Sequence, residues 1–431
     1  MQREFRLKPL ALTLGLALTR CFAAANAADS EQRLPEVKVR ADTETASSIV
    51  PVRAGTATKT DTPLSDIPQS IQVVPQALIR DQAAYSVDAS IRNVSGVAQS
   101  SASNYGFFNN YLVRGLNANF LRDGVPDGLT INGYARTLAD VESVEVLKGP
   151  GSALYGSGAP GGTINLITRK PRLEPETVIA GTVGSFDTRR VLFDVTGPLG
   201  NASAAGRLVA DYARSAGYRG LSSEYSEFIP SLQWRPNAHN TVRVNLDYRD
   251  LKSTSDTVGI PFRASTIAAL NSPKLVEIGR DAKLYTPFAN VTQTISRASV
   301  NHEMNVTPNV TIRQNLVYLN RDLDLLRNAA GANFTGATTL ANRALRDQSD
   351  DASELIYQLE PVWKLTFGAA KHTLLTGFEY HRTDIDTRRS QANLAPIQNV
   401  FAPIVPEQSK EALLFAPHFD RKLSANQLGV Y

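Results

Sequence analysis

Between Asn240 and Asp250 apolar and polar residues alternate without a break. Val242, Val244, Leu246 and Tyr248 fall on one face, and Arg243, Asn245, Asp247 and Arg249 on the other. A period of two puts successive side chains on opposite sides of an extended backbone, so the segment predicts a β-strand with two unlike faces. Leu355, Tyr357, Leu359, Trp363 and Leu365 repeat the pattern against Glu354, Gln358, Glu360 and Lys364. From about Glu176 onward the chain reads as segments of this kind, each roughly ten residues long. Alternation alone suits a soluble sandwich, with core against solvent, and a membrane barrel, with lipid against lumen. The connections discriminate. Short turns are expected near Thr196 to Ala202, Arg235 to His239, Thr307 to Pro308 and Gly368 to Ala370, and connections far beyond ordinary loop length near 252–290, 323–351 and 385–423. Short turns alternating with long loops are the pattern of an antiparallel transmembrane barrel. About nine strands are complete, and QLGVY, ending at Tyr431, reads as the start of a tenth.

The chain before Glu176 has a different grammar. Val141, Val144, Val146 and Leu147 form a strand-like segment ending at Lys148, Gly-Pro-Gly breaks it, and Thr163 to Thr168 is β-branched and extended again. This predicts strand, glycine-rich turn, strand. Gly156 to Gly161 also satisfies G-x-G-x-x-G, the phosphate-cradling pattern of a soluble cofactor-binding protein. That motif must open a helix, however, and here TINLIT follows, while Pro160 removes a backbone donor.

Asp66-Ile-Pro-Gln-Ser-Ile-Gln-Val-Val-Pro75, the helix-like segment that follows it, Val94 to Val97, Leu112-Val-Arg-Gly115, Leu121-Arg-Asp-Gly124-Val125 and the glycine stretch occur in one order. In that order they resemble the plug domain of TonB-dependent outer-membrane receptors, specifically the ferric-siderophore receptors. The resemblance implies an α+β plug domain over 61–172, followed over 176–431 by the N-terminal part of an antiparallel transmembrane β-barrel. A complete barrel of the family has about 22 strands, so the chain is expected to be a C-terminally truncated or partial copy with about nine or ten. The implied function is TonB-dependent import of a ferric siderophore across the outer membrane. Import of haem, cobalamin or another nutrient is the alternative within the class. A passive porin would explain the strands but not the plug, and a soluble periplasmic cofactor-binding protein would make the glycines a cofactor site.

Residues 1–27 carry Arg3, Arg6 and Lys8, an apolar run from Leu10 to Leu18 and a small-residue site at Ala25 to Ala27, and so read as a cleaved signal peptide. No other segment approaches 18 uninterrupted apolar residues, so any membrane crossing is by strands. Cys21, the sole cysteine, falls inside that leader, with Arg20 where a lipidation site would have a small residue. The mature chain is therefore expected to have no disulfide and no thiolate site. The leader also holds four Lys/Arg and one Glu, three of the four net positive charges, so the pI near 9.0 is no argument for nucleic acid. Residues 28–60 are polar and aperiodic and read as a flexible periplasmic arm too short for an added signalling domain. Within it Leu34, Pro35, Glu36, Val37, Lys38, Val39, Arg40 and Ala41 can add a strand to a partner's sheet edge, and are similar to the family's TonB box.

The five histidines form no ligand pattern, and no nucleophile elbow or acid/base pair stands out, so neither an enzyme nor a protein-held metal or cofactor is expected. Iron would arrive inside its chelate. Tyr105, Phe107 and Phe108, aromatics in a polar segment, are the first candidates for chelate contact at the plug apex, with Asn132, Tyr134 and Arg136 second; packing against the barrel wall is the competing reading for the aromatics. The resemblance further implies that basic plug residues, here Arg114, Arg122 and Lys148, pair with acidic barrel residues. Lys148 stands where the family has arginine, which replaces a bidentate fork with a point charge.

Overall fold

A computed structural model describes residues 49–431, except 61, 101–107, 130–132, 157, 260–261, 264–273 and 330–331. The first half is a mixed sheet with short helices. β1 (Arg53–Ala54) pairs with β2 (Thr62–Pro63). β3 (Ile71–Pro75) runs directly into a helix at Gln76–Asp81, with Pro75 at the N-cap, where the missing N–H costs nothing. A second helix, Val87–Ile91, is capped by Ser86, whose side chain accepts from Ala89 N–H at 3.3 Å. β4 (Val97–Gln99), β5 (Tyr111–Val113), β6 (Leu116–Arg122), β7 (Val125–Pro126), β8 (Val141–Lys148) and β9 (Gly162–Thr168) follow. The order across the sheet is β3-β8-β9-β6-β5-β4, with β7 beside β6, and only β6 and β9 run parallel. Its core joins Val74, Ile79, Val87, Ile91, Val113, Phe120, Val144, Val146, Ile164 and Leu166.

The glycine stretch does join two antiparallel strands, β8 and β9, with one helical turn, Ser152–Tyr155, inserted between them. Its last two glycines are required by space. A Cβ at Gly161 would lie 2.2 Å from the Leu116 carbonyl oxygen, and one at Gly162 would lie 2.2 Å from that of Leu147. No helix opens after Gly161, so there is no helix N-terminus to face a phosphate.

From Glu176 the chain builds one antiparallel sheet of neighbours in sequence: β10 (Glu176–Gly184), β11 (Thr188–Leu199), β12 (Asn201–Ser215), β13 (Ser223–Asn237), β14 (Asn240–Thr254), β17 (Asn290–Thr307), β18 (Val310–Asn328), β21 (Arg343–Phe367), β23 (Phe378–Leu394) and β24 (Ala416–Val430). A short β22 (Ala370–Leu375) extends the pairing of β21, and two small hairpins, β15 (Phe262–Arg263) with β16 (Lys274–Leu275) and β19 (Asn333–Thr335) with β20 (Thr339–Ala341), decorate the loops. The faces decide between sandwich and barrel. Ile179, Val183, Trp234 and Tyr318 are 71, 86, 47 and 50% exposed, whereas Asp194, Arg207, Asp211 and Arg249 are at most 5% exposed. Apolar outside and charged inside is the signature of strands between lipid and a filled lumen.

The four short turns stand where expected. The long connections are shorter than expected, at 255–289, 329–342 and 395–415, because the strands run on past the apolar band. Asp324 pairs in register with Ser349 and Arg388 with Asp420, polar residues that read as loop in sequence but continue the ladder. For the same reason the tenth strand begins at Ala416 and not at QLGVY. Among the described residues no helix is long and apolar enough to cross a membrane.

Candidate functional site

The plug sheet sits against the charged inner face of the strands, and the seam between them holds the polar groups best placed for function. It begins with a strap, residues 53–60. Thr56, fully buried, donates from its N–H to Glu145 Oε2 at 2.9 Å and from its hydroxyl to the same oxygen. Its Oγ1 accepts from Asn165 Nδ2 at 2.8 Å and its carbonyl from the Tyr155 hydroxyl at 2.7 Å. Three residues on, Lys59 adopts φ 54° in a turn closed by its own N–H to Gly55 O at 2.7 Å. That turn aims the ammonium out of the plug. Lys59 Nζ lies 2.6 Å from Glu360 Oε1 on β21 and 2.6 Å from the Tyr431 hydroxyl, over the rings of Tyr431 and Tyr155. Burial lowers the Lys59 pKa, against the Glu360 carboxylate, which raises it.

Three plug carboxylates carry the rest. Asp127 accepts from Arg136 Nε at 2.8 Å and the Tyr134 hydroxyl at 2.7 Å, with Arg297 of β17 at 3.7 Å. Asp140 binds Arg122 at 2.7 Å and faces Arg249 of β14 at 3.6 Å; Arg249 also binds Asp247 at 2.7 Å and donates from Nη1 to Thr137 Oγ1 at 3.1 Å. Asp123 accepts from Thr168 N–H at 2.9 Å and lies 3.7 Å from Arg243. Burial would raise all three carboxyls, yet the arginines facing them hold each below the ordinary aspartate value. Arg169, at the exit from the plug, binds Asp194 of β11, and burial brings its pKa down to about 10.

Beside the strap the seam opens into a polar cavity of about 580 Å³, lined by Lys59, Glu145 and Tyr155 from the plug side and by Arg243, His302 and Glu360 from the wall. It reaches Thr241 and Glu303, close to the short turns of the barrel. Among the described residues no three His, Cys, Asp or Glu side chains come together as a metal site.

Several expected residues lie elsewhere. Leu34 to Ala41, Tyr105, Phe107 and Asn132 fall outside the described residues. Phe108 is buried against Val291, Leu323 and Leu325 of the wall, the competing reading for this aromatic. Tyr134 packs on Ile295 and Leu319, and Arg136 stacks between Phe120 and Tyr134 while binding Asp127, so neither is presented to a ligand. Of the three basic residues expected to fasten the plug, Arg122 binds plug carboxylates, Lys148 bonds to Gln72 at 3.2 Å and Ser95 at 2.9 Å, and Arg114 is exposed with no ion pair among the described residues. The polarity among the described residues is largely the reverse of the expectation: plug Asp123, Asp127 and Asp140 face wall Arg243, Arg297 and Arg249, and Lys59–Glu360 and Arg169–Asp194 run the other way. Arg243 and Arg249 were visible in the β14 alternation; Arg297 of β17, and the plug partners of all three as charged contacts, are added by the structure.

Residues 63–163 match the family model described as TonB-dependent Receptor Plug Domain. The chain is similar to the ferrioxamine B receptor of Salmonella typhimurium, 28% identical over 88% of this chain and 54% of the relative, and to the ferrichrome outer membrane transporter/phage receptor of Escherichia coli, 25% identical over 83% and 51%. Among solved structures, the ferripyoverdine receptor of Pseudomonas aeruginosa bound to ferripyoverdine shares the fold with a TM-score of 0.78 at 21% identity, over 97% of this chain and 56% of that one. The chain thus spans about half the length of the relatives it matches.

Proposed function

We propose that this chain, which carries the plug of a TonB-dependent siderophore receptor and the first strands of its barrel, serves the import of a ferric siderophore across the outer membrane after export by its leader. The observation that carries the reading is the seam: a folded plug held to the wall by ion pairs, with a polar cavity beside the strap that continues the N-terminal arm. The chelate binds on the face of the long loops, with Tyr105, Phe107 and Asn132 as its remaining candidate contacts at the plug apex. TonB grips Leu34 to Ala41 by strand addition, which needs only main-chain hydrogen bonds and so tolerates tension along the arm. Tension on the arm enters the strap at β1, passes to the bonds of Thr56 and then to Lys59, the contact with the wall. Withdrawal of the strap removes one side of the 580 Å³ cavity and widens a polar route along the wall. Iron stays inside its chelate, and no bond is made or broken.

The test is uptake of radio-iron by cells that depend on this protein, with ferrioxamine B, ferrichrome and haem offered separately and labelled cobalamin as a further arm. Uptake of a ferric siderophore that stops on deletion of 34–41 is the expected result. Uptake that survives this deletion would indicate a passive pore and sink the reading.

A further inference from the structure

The described parts of three outer connections fold onto one another. Residues 255–289 supply Val276 and Leu284, residues 329–342 supply Leu340, and residues 395–415 supply Ile397 and Val400 to one buried apolar cluster. Leu340 and Ile397 exchange backbone hydrogen bonds of 2.9 and 3.0 Å, and Val400 N–H donates to Thr338 O at 3.0 Å. A second cluster seats the loops on the strand ends, joining Leu326, Leu345 and Leu394 to Phe288, Leu413 and Phe415. Glu407, in the third connection, reaches the first at Thr286 and the start of β21, where the second ends, at Arg343. Glu407 Oε1 accepts from the Thr286 hydroxyl at 2.6 Å and from Arg343 Nη2 at 2.5 Å, and its Oε2 accepts from Arg343 Nη1 at 3.0 Å. Asn328, at the end of β18, holds Thr286 in turn: its Oδ1 accepts from Thr286 N–H and its Nδ2 donates to Thr286 Oγ1, each at 2.9 Å.

We infer that these loops are one preassembled rim pinned by Glu407, a positioning residue that orders all three segments together and so shapes the outer entrance used in ligand capture. The capture step rests on the import reading; the shared order does not. A loop that owned its own core could loosen alone. Here each contributes a fraction of a common core, so the cluster forms or fails as a unit. The Glu407 side chain is 3% exposed and that of Arg343 2%, so deleting the carboxylate leaves a buried guanidinium without its anion. Burial would raise the Glu407 carboxyl, but Arg343 and Thr286 hold it below the usual glutamate value, which keeps the pin ionised outside the cell.

Hydrogen exchange on the full chain in detergent micelles tests this. Glu407→Ala is expected to speed exchange about tenfold or more, together, in 274–289, 332–342 and 395–415, while 290–307 stays protected. Glu407→Gln keeps an acceptor for Thr286 and is expected to show the same three segments with a smaller rise. Asp187→Asn, at an exposed ion pair on the same end of the barrel, should change none of them. A rise confined to the neighbourhood of residue 407 would overturn the inference, as would loss of protection in 290–307 with every variant. In a parallel titration with ferrioxamine B, weaker binding by Glu407→Ala at unchanged maximal uptake is expected, and unchanged affinity with a loosened rim would overturn the capture step. A parent chain that binds neither ferrioxamine B nor ferrichrome would count against the import reading and leave the exchange result to decide the shared order.

Discussion

Lys59→Met removes the cation that pairs the strap with Glu360 of the wall while keeping most of the side chain's length. Breaking a buried ion pair from one side costs about 3–5 kcal/mol, because the remaining charge is stranded. Glu360 would not be wholly stranded. Arg313 Nη2 stays 3.1 Å from Oε2, and the Tyr431 hydroxyl still donates to Oε1 at 2.6 Å. The expected loss is therefore about 2–3 kcal/mol, which multiplies the open population of the strap roughly 30- to 160-fold. The loss is local, since the plug keeps its own apolar core beneath the strap.

The reporter is a cysteine at Ala57, which is 4% exposed, in a chain whose only natural cysteine lies in the expected leader. Maleimide labelling of Ala57→Cys should accelerate by the factor above when Lys59→Met is added. It should fall back part of the way in the triple variant that adds Glu360→Gln, which removes the stranded charge. Ala118→Cys, buried in the plug core at 2% exposure, is the control and should stay slow in every background. Labelling of Ala57→Cys within about threefold of its parent would refute the reasoning. Equal acceleration at Ala118→Cys would do the same, because it would mean that the whole plug had loosened.

Gly161→Ala places a methyl 2.2 Å from the Leu116 carbonyl oxygen, a backbone atom that cannot swing aside, so β6 and β9 should separate at a cost of about 2–4 kcal/mol, read as lost protease resistance of the plug. Asp123, Asp127 and Asp140 have folded pKa values below those of the free residues, so their stabilisation is complete above about pH 4 and is lost as pH falls through the lower folded values. The thermal midpoint of the plug should therefore be level between pH 7 and pH 5 and drop below about pH 4; a steady decline from pH 7 would contradict the assignment. Phe108→Ala should lower plug stability by about 3 kcal/mol through its lost wall contacts and leave chelate affinity unchanged, whereas Tyr105→Ala should weaken chelate binding with little effect on stability; equilibrium unfolding and a binding titration separate the two.

The sequence disclosed what is written locally. The alternation in β14 gave both the strand and its charged face, and Gly161 and Gly162 marked the place where three strands crowd. The limits of the strands were less visible. Arg321 to Asp324 and Arg343 to Asp351 are mostly polar, each broken by a single leucine, and only the partner strand tells a ladder above the membrane from a loop. The seam was least legible, because Lys59 and Glu360 are 301 residues apart and each alone is an ordinary charged residue. Tyr134 and Arg136 looked like ligand contacts because an aromatic beside an arginine fits a binding surface as well as a buried cation–π stack; burial, which alternation does not report for an irregular segment, separates these cases.

The chemistry of the seam bears on how a folded plug can be both secure and movable. The apolar contacts between plug and wall are small and separate: Phe108 with Val291, Leu323 and Leu325, Val125 with Val317 and Ile356, Tyr134 with Ile295 and Leu319, Ala139 with Val209 and Ile229. The larger apolar core lies inside the plug. An interface built on a continuous apolar face would expose that face to water on opening, at a cost that grows with its area. Ion pairs behave differently. Water entering between Asp140 and Arg249, or between Asp127 and Arg297, hydrates both partners and returns much of the desolvation cost spent on burying them. Specific register with a small net cost of release is what the proposed shift of the plug under tension requires, and replacing Arg249 and Asp140 together by a well-fitting apolar pair should hold the plug more firmly while slowing the proposed uptake.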